Sequence, residues 1–150
     1  MELDDILNFE RLVCMGGISK AGWYLDQDAI LEAIDKLGIK RIVKVKFQTF
    51  KRRGRGTHYI ELDRTHLITV DQLSSRESAN FILWHELTHA MQSERWADAD
   101  ERRDIFNWHY DDYKAVDGEW GNRYRGNAYE IEANRIAEEN ADFHLVVKGT

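Results

Sequence analysis

The sequence predicts an α+β fold, and three observations carry that expectation. Apolar residues recur at helical spacing near the start of the chain and again in its second half. Between them lie short alternating runs rich in Val, Ile, Thr and Tyr, which read as strands. The order is therefore helices, a meander of strands forming a small antiparallel or mixed sheet, then two helices, which argues α+β. The chain's 150 residues suit one domain. Residues 1–40 read as a helical N-terminal extension and residues 41–150 as the core that carries the chemistry.

Taken in order, residues 2–15 read as a helix with Leu3, Ile6, Leu7, Leu12 and Val13 apolar, ended by Gly16 and Gly17. Asp26 to Leu37 reads as a second helix with Ile30, Leu31, Ile34 and Leu37 on one face, and Gly38 suits its C-cap. Arg41 to Phe50 sets Ile42, Lys44 and Lys46 against Val43, Val45 and Phe47, a strand alternation. Lys51 to Gly56 reads as the turn of a hairpin, followed by strands at Thr57–Leu62 and His66–Val70. Ser74 to Ser93 reads as a helix, with Ser74 and Glu77 at capping-box spacing. Residues 98–118 are acidic and aromatic and read as partly helical, and Gly118 and Gly121 mark a loop. The last helix runs from about Ala128 to Ala141, with Asn127 placed as its cap.

The helix at 74–93 holds the most informative stretch, His85-Glu86-Leu87-Thr88-His89. On a helix the two histidines, four residues apart, lie one above the other and can reach a single ion. Glu86 lies about 100° around the helix from His85, placed to reach a water rather than the ion. A carboxylate beside a metal-bound water is a general base with its nucleophile in place. Phe81, Ile82, Leu83, Trp84, Leu87, Ala90 and Met91 make the segment apolar over most of its girth. A helix of that kind is buried, so its His and Glu residues are costly unless they bind something.

Catalytic zinc takes three protein ligands and keeps one position open. A metzincin would place Gly and His three and six residues after the second histidine, but Gln92 and Arg95 stand there. Downstream, Glu130-Ile131-Glu132-Ala133-Asn134 opens the last helix. H-E-x-x-H followed by E-x-x-A-[DN] on a second helix resembles the gluzincin zinc metallopeptidases, most closely their minimal members. The resemblance covers about residues 57–142. It implies a zincin-like fold and hydrolysis of peptide bonds in a peptide or protein substrate. It implies Zn2+ on His85, His89 and Glu130, with Glu86 as general base. It also implies that Ala133 permits close helix packing and that Asn134 supports a zinc histidine. An edge strand, expected at Thr57–Leu62, would pair with extended substrate. Glu132 is the rival third ligand, pointing nearly opposite to Glu130 on a helix. His109, Asp98, Asp100 and Asp104 are weaker rivals. The oxyanion donor is open among His109, Tyr110, Tyr113, Tyr124, Tyr129 and His144.

Composition narrows the surroundings. There is no apolar run of about 18 residues, so no membrane span is expected. The acidic start Met1-Glu2-Leu3-Asp4-Asp5 lacks the layout of a secretion signal, and the expected location is the cytoplasm. Cys14 is the only cysteine, which excludes an internal disulfide. Lys40, Arg41, Lys44, Lys46, Lys51, Arg52, Arg53 and Arg55 form a basic run without an acid. As a basic hairpin it could meet nucleic acid or an acidic partner, and a DNA-associated protease is a competing reading of the function. The net charge of -6 opposes phosphate binding, and a solvated charged edge is the favoured reading. A latent protease blocked by residues 1–40 and a non-catalytic zinc-binding module also compete with the endopeptidase reading. Oligomeric state is not legible.

Overall fold

The computed structural model describes residues 11–99, 105, 108 and 128–148. Among them it is a small α+β protein with a mixed sheet and three α-helices. The elements in chain order are β1 (Leu12–Met15), β2 (Trp23–Leu25), α1 (Gln27–Leu37), β3 (Val43–Gln48), β4 (Gly56–Ile60), β5 (His66–Asp71), α2 (Arg76–Asp98), α3 (Ala128–Glu139) and β6 (Val146–Lys148).

The helix expected over 2–15 is strand at Leu12–Met15. These residues pair in parallel with β3, Leu12 opposite Val43 and Met15 opposite Lys46. Residues 2–10 lie outside the described residues. Leu12, Ile30, Ala33, Ile34 and Ile39 belong to the same apolar core as Val43, Val45, Leu83 and Leu87. Among the described residues, side chains from both sides of position 40 thus share one apolar core.

α1 forms where the apolar spacing places it. Asp26 caps it by accepting from the Ala29 amide at 3.1 Å, and Gly38 ends it at φ 73°, a left-handed turn that suits glycine. It is the crossover that two parallel strands require, carrying the chain from β1 to β3.

The basic run does not form a hairpin. The sheet order is β1-β3-β5-β4, so β5 lies between β3 and β4. β3 pairs with β5 in parallel, Val43 opposite His66, and β4 pairs with β5 antiparallel, His58 opposite Ile68. Val43 and Val45 are fully buried, as an interior strand demands. Lys51 to Arg55 therefore crosses to the sheet edge instead of turning back. The tight turn is the next one, at residues 61–65. There the Thr65 amide donates to Asp63 Oδ1 at 3.0 Å, and Arg64 takes φ 68°.

α2 packs beneath the sheet. Its cap is Ser75 rather than Ser74: Ser75 Oγ accepts from the Ser78 amide at 3.2 Å. The helix continues past Ser93 to Asp98. On one stripe, Arg76, Asn80 and Trp84 hold the chain that follows α3. Arg76 Nε donates to the Val146 carbonyl at 3.2 Å and Trp84 Nε1 to the Phe143 carbonyl at 2.9 Å. Asn80 Oδ1 accepts from the Leu145 amide at 2.7 Å. β6 then pairs with β2, Val146 opposite Leu25. These bonds fix the C-terminal end of α3 against α2. Asn127 lies outside the described residues, as does the loop at Gly118 and Gly121. No helix among the described residues is long and apolar enough to cross a membrane.

Candidate metal centre

His85, Glu86 and His89 all lie in α2, in the middle of the helix. Glu130 lies in the first turn of α3, and Ala133 and Ala137 continue its buried face. These positions share one stripe of the helix. The small side chains let the helices approach closely enough for a short carboxylate to reach two imidazoles.

The three expected ligands converge. His85 Nε2 lies 3.0 Å from Glu130 Oε2, His89 Nε2 lies 2.8 Å from Glu130 Oε1, and the two Nε2 atoms are 3.1 Å apart. Metal bonds of about 2.0–2.1 Å at tetrahedral angles would set such donors roughly 3.3 Å apart. Two imidazole nitrogens and a carboxylate are the donor set of a catalytic zinc with an open position. The cluster fits an ion of that kind. Among the described residues it is the group of His, Cys, Asp or Glu whose donor atoms gather in this way.

Glu132, the rival ligand, turns away. Its carboxylate accepts from Arg95 at 2.6 Å and from Gln92 Nε2 at 2.9 Å. Asp98 is exposed and lies 3.9 Å from Lys40 Nζ. Asp100, Asp104, His109, Tyr110, Tyr113 and Tyr124 lie outside the described residues. Tyr129 packs edge-on to Trp108 with ring centres 5.5 Å apart, and His144 is exposed.

Asn134 does not support a histidine. It is exposed: the buried face of α3 runs through Glu130, Ala133 and Ala137, and Asn134 stands on the solvent side of Glu130, away from the two alanines. Gln92 takes that part instead. Its Nε2 donates to the Tyr129 carbonyl and to Glu132 Oε1, both at 2.9 Å. Two acceptors fix the amide's orientation, so its Oε1 faces His89 Nδ1 at 2.7 Å and must accept from it. His89 Nδ1 therefore carries the hydrogen, and its Nε2 faces the cluster. His85 Nδ1 is buried with no hydrogen-bond partner among the described residues.

Burial raises the pKa of Glu86, and the charge of Glu130 adds to this against the opposing histidines. A carboxyl moved toward neutrality suits proton exchange. Glu130 behaves oppositely. Burial alone would raise it, but hydrogen bonds from His85 and His89 outweigh that and hold it well below the usual carboxylate range. For His89, burial disfavours the charged ring. The bond to Glu130 and the charges of Glu86 and Glu130 outweigh burial and raise its pKa.

β4 lies close over this helix because position 56 is glycine. A Cβ there would stand 2.2 Å from Ile82 Cγ2, 2.9 Å from the Thr69 carbonyl oxygen and 3.2 Å from Glu86 Cγ. No side chain fits without moving the strand, so Gly56 seats the sheet edge against the Glu86 stem. β4 sits at the edge expected for Thr57–Leu62, and among the described strands none pairs with its outer side.

The fold also builds a second buried array, which the sequence motifs do not announce. His66 Nε2 lies 2.7 Å from Glu94 Oε2, and His66 Nδ1 lies 2.8 Å from His58 Nε2. Glu94 also accepts from the backbone amides of Lys40 and Arg41, at 2.8 and 3.3 Å. Glu94 accepts a hydrogen bond from His66 Nε2, and in the neutral ring His66 Nδ1 then accepts from His58 Nε2. His58 packs 6.1 Å from Trp108, whose ring also lies 5.8 Å from His89. The one local signal for this array is Glu94 itself, a charged residue on the apolar helix that carries Glu86.

No family model matches this chain, and neither a curated protein nor a solved structure matches it.

Proposed function

We propose that this chain is a zinc-dependent endopeptidase of gluzincin type, with a zincin-like arrangement of sheet, active helix and glutamate helix. The observation that carries the proposal is the meeting of His85 Nε2, His89 Nε2 and the Glu130 carboxylate at 2.8–3.1 Å. A buried fourth group, Glu86, comes from the same helix turn. His85, His89 and Glu130 would hold the ion. A zinc ion held there would supply Lewis acidity and lower the pKa of a bound water toward about 7.

The chain's own residues supply the rest. Glu86 takes a proton from the attacking water and returns it to the leaving amine. Its burial moves the carboxyl toward the neutral form, which favours taking up that proton. Gln92 keeps His89 in the tautomer whose Nε2 can bind metal. Gly56 brings an open strand edge beside Glu86. Main-chain pairing along that edge would accept many peptide sequences.

The test is metal analysis of the purified protein with a screen against unfolded protein substrates. One zinc per chain, lost in His85→Ala, together with cleavage suppressed by a chelator, supports the proposal. A zinc-free protein that cannot be loaded contradicts it.

A further inference from the structure

We propose that the loop of residues 51–55 selects acidic side chains on one side of the bond being cleaved, so that the preferred substrate is an acidic peptide. This rests on the endopeptidase reading and adds a substrate class to it.

Lys51, Arg52, Arg53 and Arg55 are all exposed, and none forms an ion pair among the described residues. Four neighbouring cations repel one another, and an anionic partner relieves that repulsion. The loop is also held in place. The Gly54 amide donates to Asp71 Oδ2 at 3.0 Å, and the Asp71 amide donates to the Arg55 carbonyl at 2.9 Å. Asp71 is buried, so its carboxylate anchors the loop's backbone from beneath and leaves the loop's side chains in solvent.

The loop's position ties it to the site. A Cβ on Gly54 would stand 3.7 Å from Ser78 Oγ, and one on Gly56 would stand 3.2 Å from Glu86 Cγ. The backbone thus runs along α2 from near its first turn to the general base within three residues. The open edge of β4 begins there. A peptide lying along that edge and passing Glu86 meets the cations on leaving it.

Charge is uneven along the strand. Four cations precede β4, whereas Glu61, Asp63 and Arg64 follow it. Glu61 is spoken for, 3.2 Å from Lys44, and Asp63 caps the turn. Unbalanced positive charge therefore lies at the end of β4 where it begins, and that end favours acidic substrate residues. A nucleic acid would need a larger basic footprint than one loop on a chain of net charge -6.

The experiment uses zinc-loaded full-length protein and three peptides of one core sequence. Glu residues stand on the amino side of the cleaved bond, on its carboxyl side, or on neither, with Gln as the neutral replacement. We expect one acidic peptide to be preferred by on the order of five- to tenfold in kcat/KM at low salt, with the preference shrinking as salt rises. In the double variant Arg52→Glu, Arg53→Glu that preference should vanish while cleavage of the neutral peptide is kept. Fluorescence anisotropy of the same peptides on zinc-loaded Glu86→Gln reads binding without turnover and should show the same one-sided order. Equal use of both acidic peptides, or a preference that survives the double variant, overturns the proposal. So does oligonucleotide binding that needs Arg52 and Arg53 without any peptide preference. If no peptide is cleaved, the endopeptidase reading fails. The loop is then judged by anisotropy alone, where equal affinity for acidic and neutral peptides overturns it.

Discussion

Gln92 Oε1 lies 2.7 Å from His89 Nδ1, and the other end of the same amide is bonded to α3 at Tyr129 and Glu132. One side chain thus sets the tautomer of a candidate ligand and ties the two helices that carry the ligand set. Gln92→Leu removes the acceptor and leaves a buried ring N–H unmet. Zinc affinity, measured by competition with a chromophoric chelator, should fall about 10- to 100-fold. Gln92→Glu keeps an acceptor and should lose less. Equal affinity in Gln92→Leu and the parent would remove Gln92 from the site.

Glu130 and Glu132 separate cleanly. Glu130→Ala takes away one of three donors and should reduce zinc affinity by several orders of magnitude. Glu132→Ala removes a carboxylate bound to Arg95 and Gln92, and should cost about tenfold or less through Gln92. The same competition assay ranks them. A larger loss in Glu132→Ala would reassign the ligand.

Gly56→Ala places a methyl group on Ile82 and on the Thr69 backbone oxygen. The strand must lift from α2, at a cost of about 1–3 kcal/mol. Urea unfolding reads that loss. Adding Ile82→Val to the variant should recover little, since valine keeps the Cγ2 methyl and the Thr69 contact is backbone and cannot yield. Unchanged stability in Gly56→Ala would show that β4 is free to move away from the helix.

Glu94 gives the pH dependence a sign. Burial would raise its pKa, but hydrogen bonds from His66 and from the Lys40 and Arg41 amides outweigh burial and lower it. A carboxyl depressed on folding stabilises the protein above its ordinary pKa, and that stability is lost as pH falls through the folded value. The stability gap between the parent and Glu94→Gln should therefore be full near pH 6 and narrow below about pH 4.5. Urea midpoints across pH 6 to 3 measure it. A gap that widens on acidification contradicts the assignment.

The features legible in the sequence are the local ones. The C-cap of α1 at Gly38, the helix bearing His85, Glu86 and His89, and Glu130 on a second helix all follow from spacing within a turn or two. Long-range pairing is not legible. Alternation at 43–48 marks a strand but does not say which neighbour it takes, so a hairpin is expected where β5 in fact inserts between β3 and β4. Leu12 and Val13 extend the helical spacing of Leu3, Ile6 and Leu7, yet Leu12–Met15 finds its partner in β3, some thirty residues on. In the sequence Gln92 stands out only as the residue in place of a metzincin glycine. Its role needs the position of α3, which no local pattern gives. The His58–His66–Glu94 array joins two strands and a helix, and its members are eight and 28 residues apart.

The most direct test of the endopeptidase account is the rate at which zinc-loaded protein and zinc-loaded Glu86→Gln cleave an unfolded protein, with metal content measured on the same samples. The account predicts one zinc per chain in both, cleavage by the parent, and a loss of at least about 100-fold in the variant. Equal rates in the two, or no cleavage by a fully loaded parent, would contradict it.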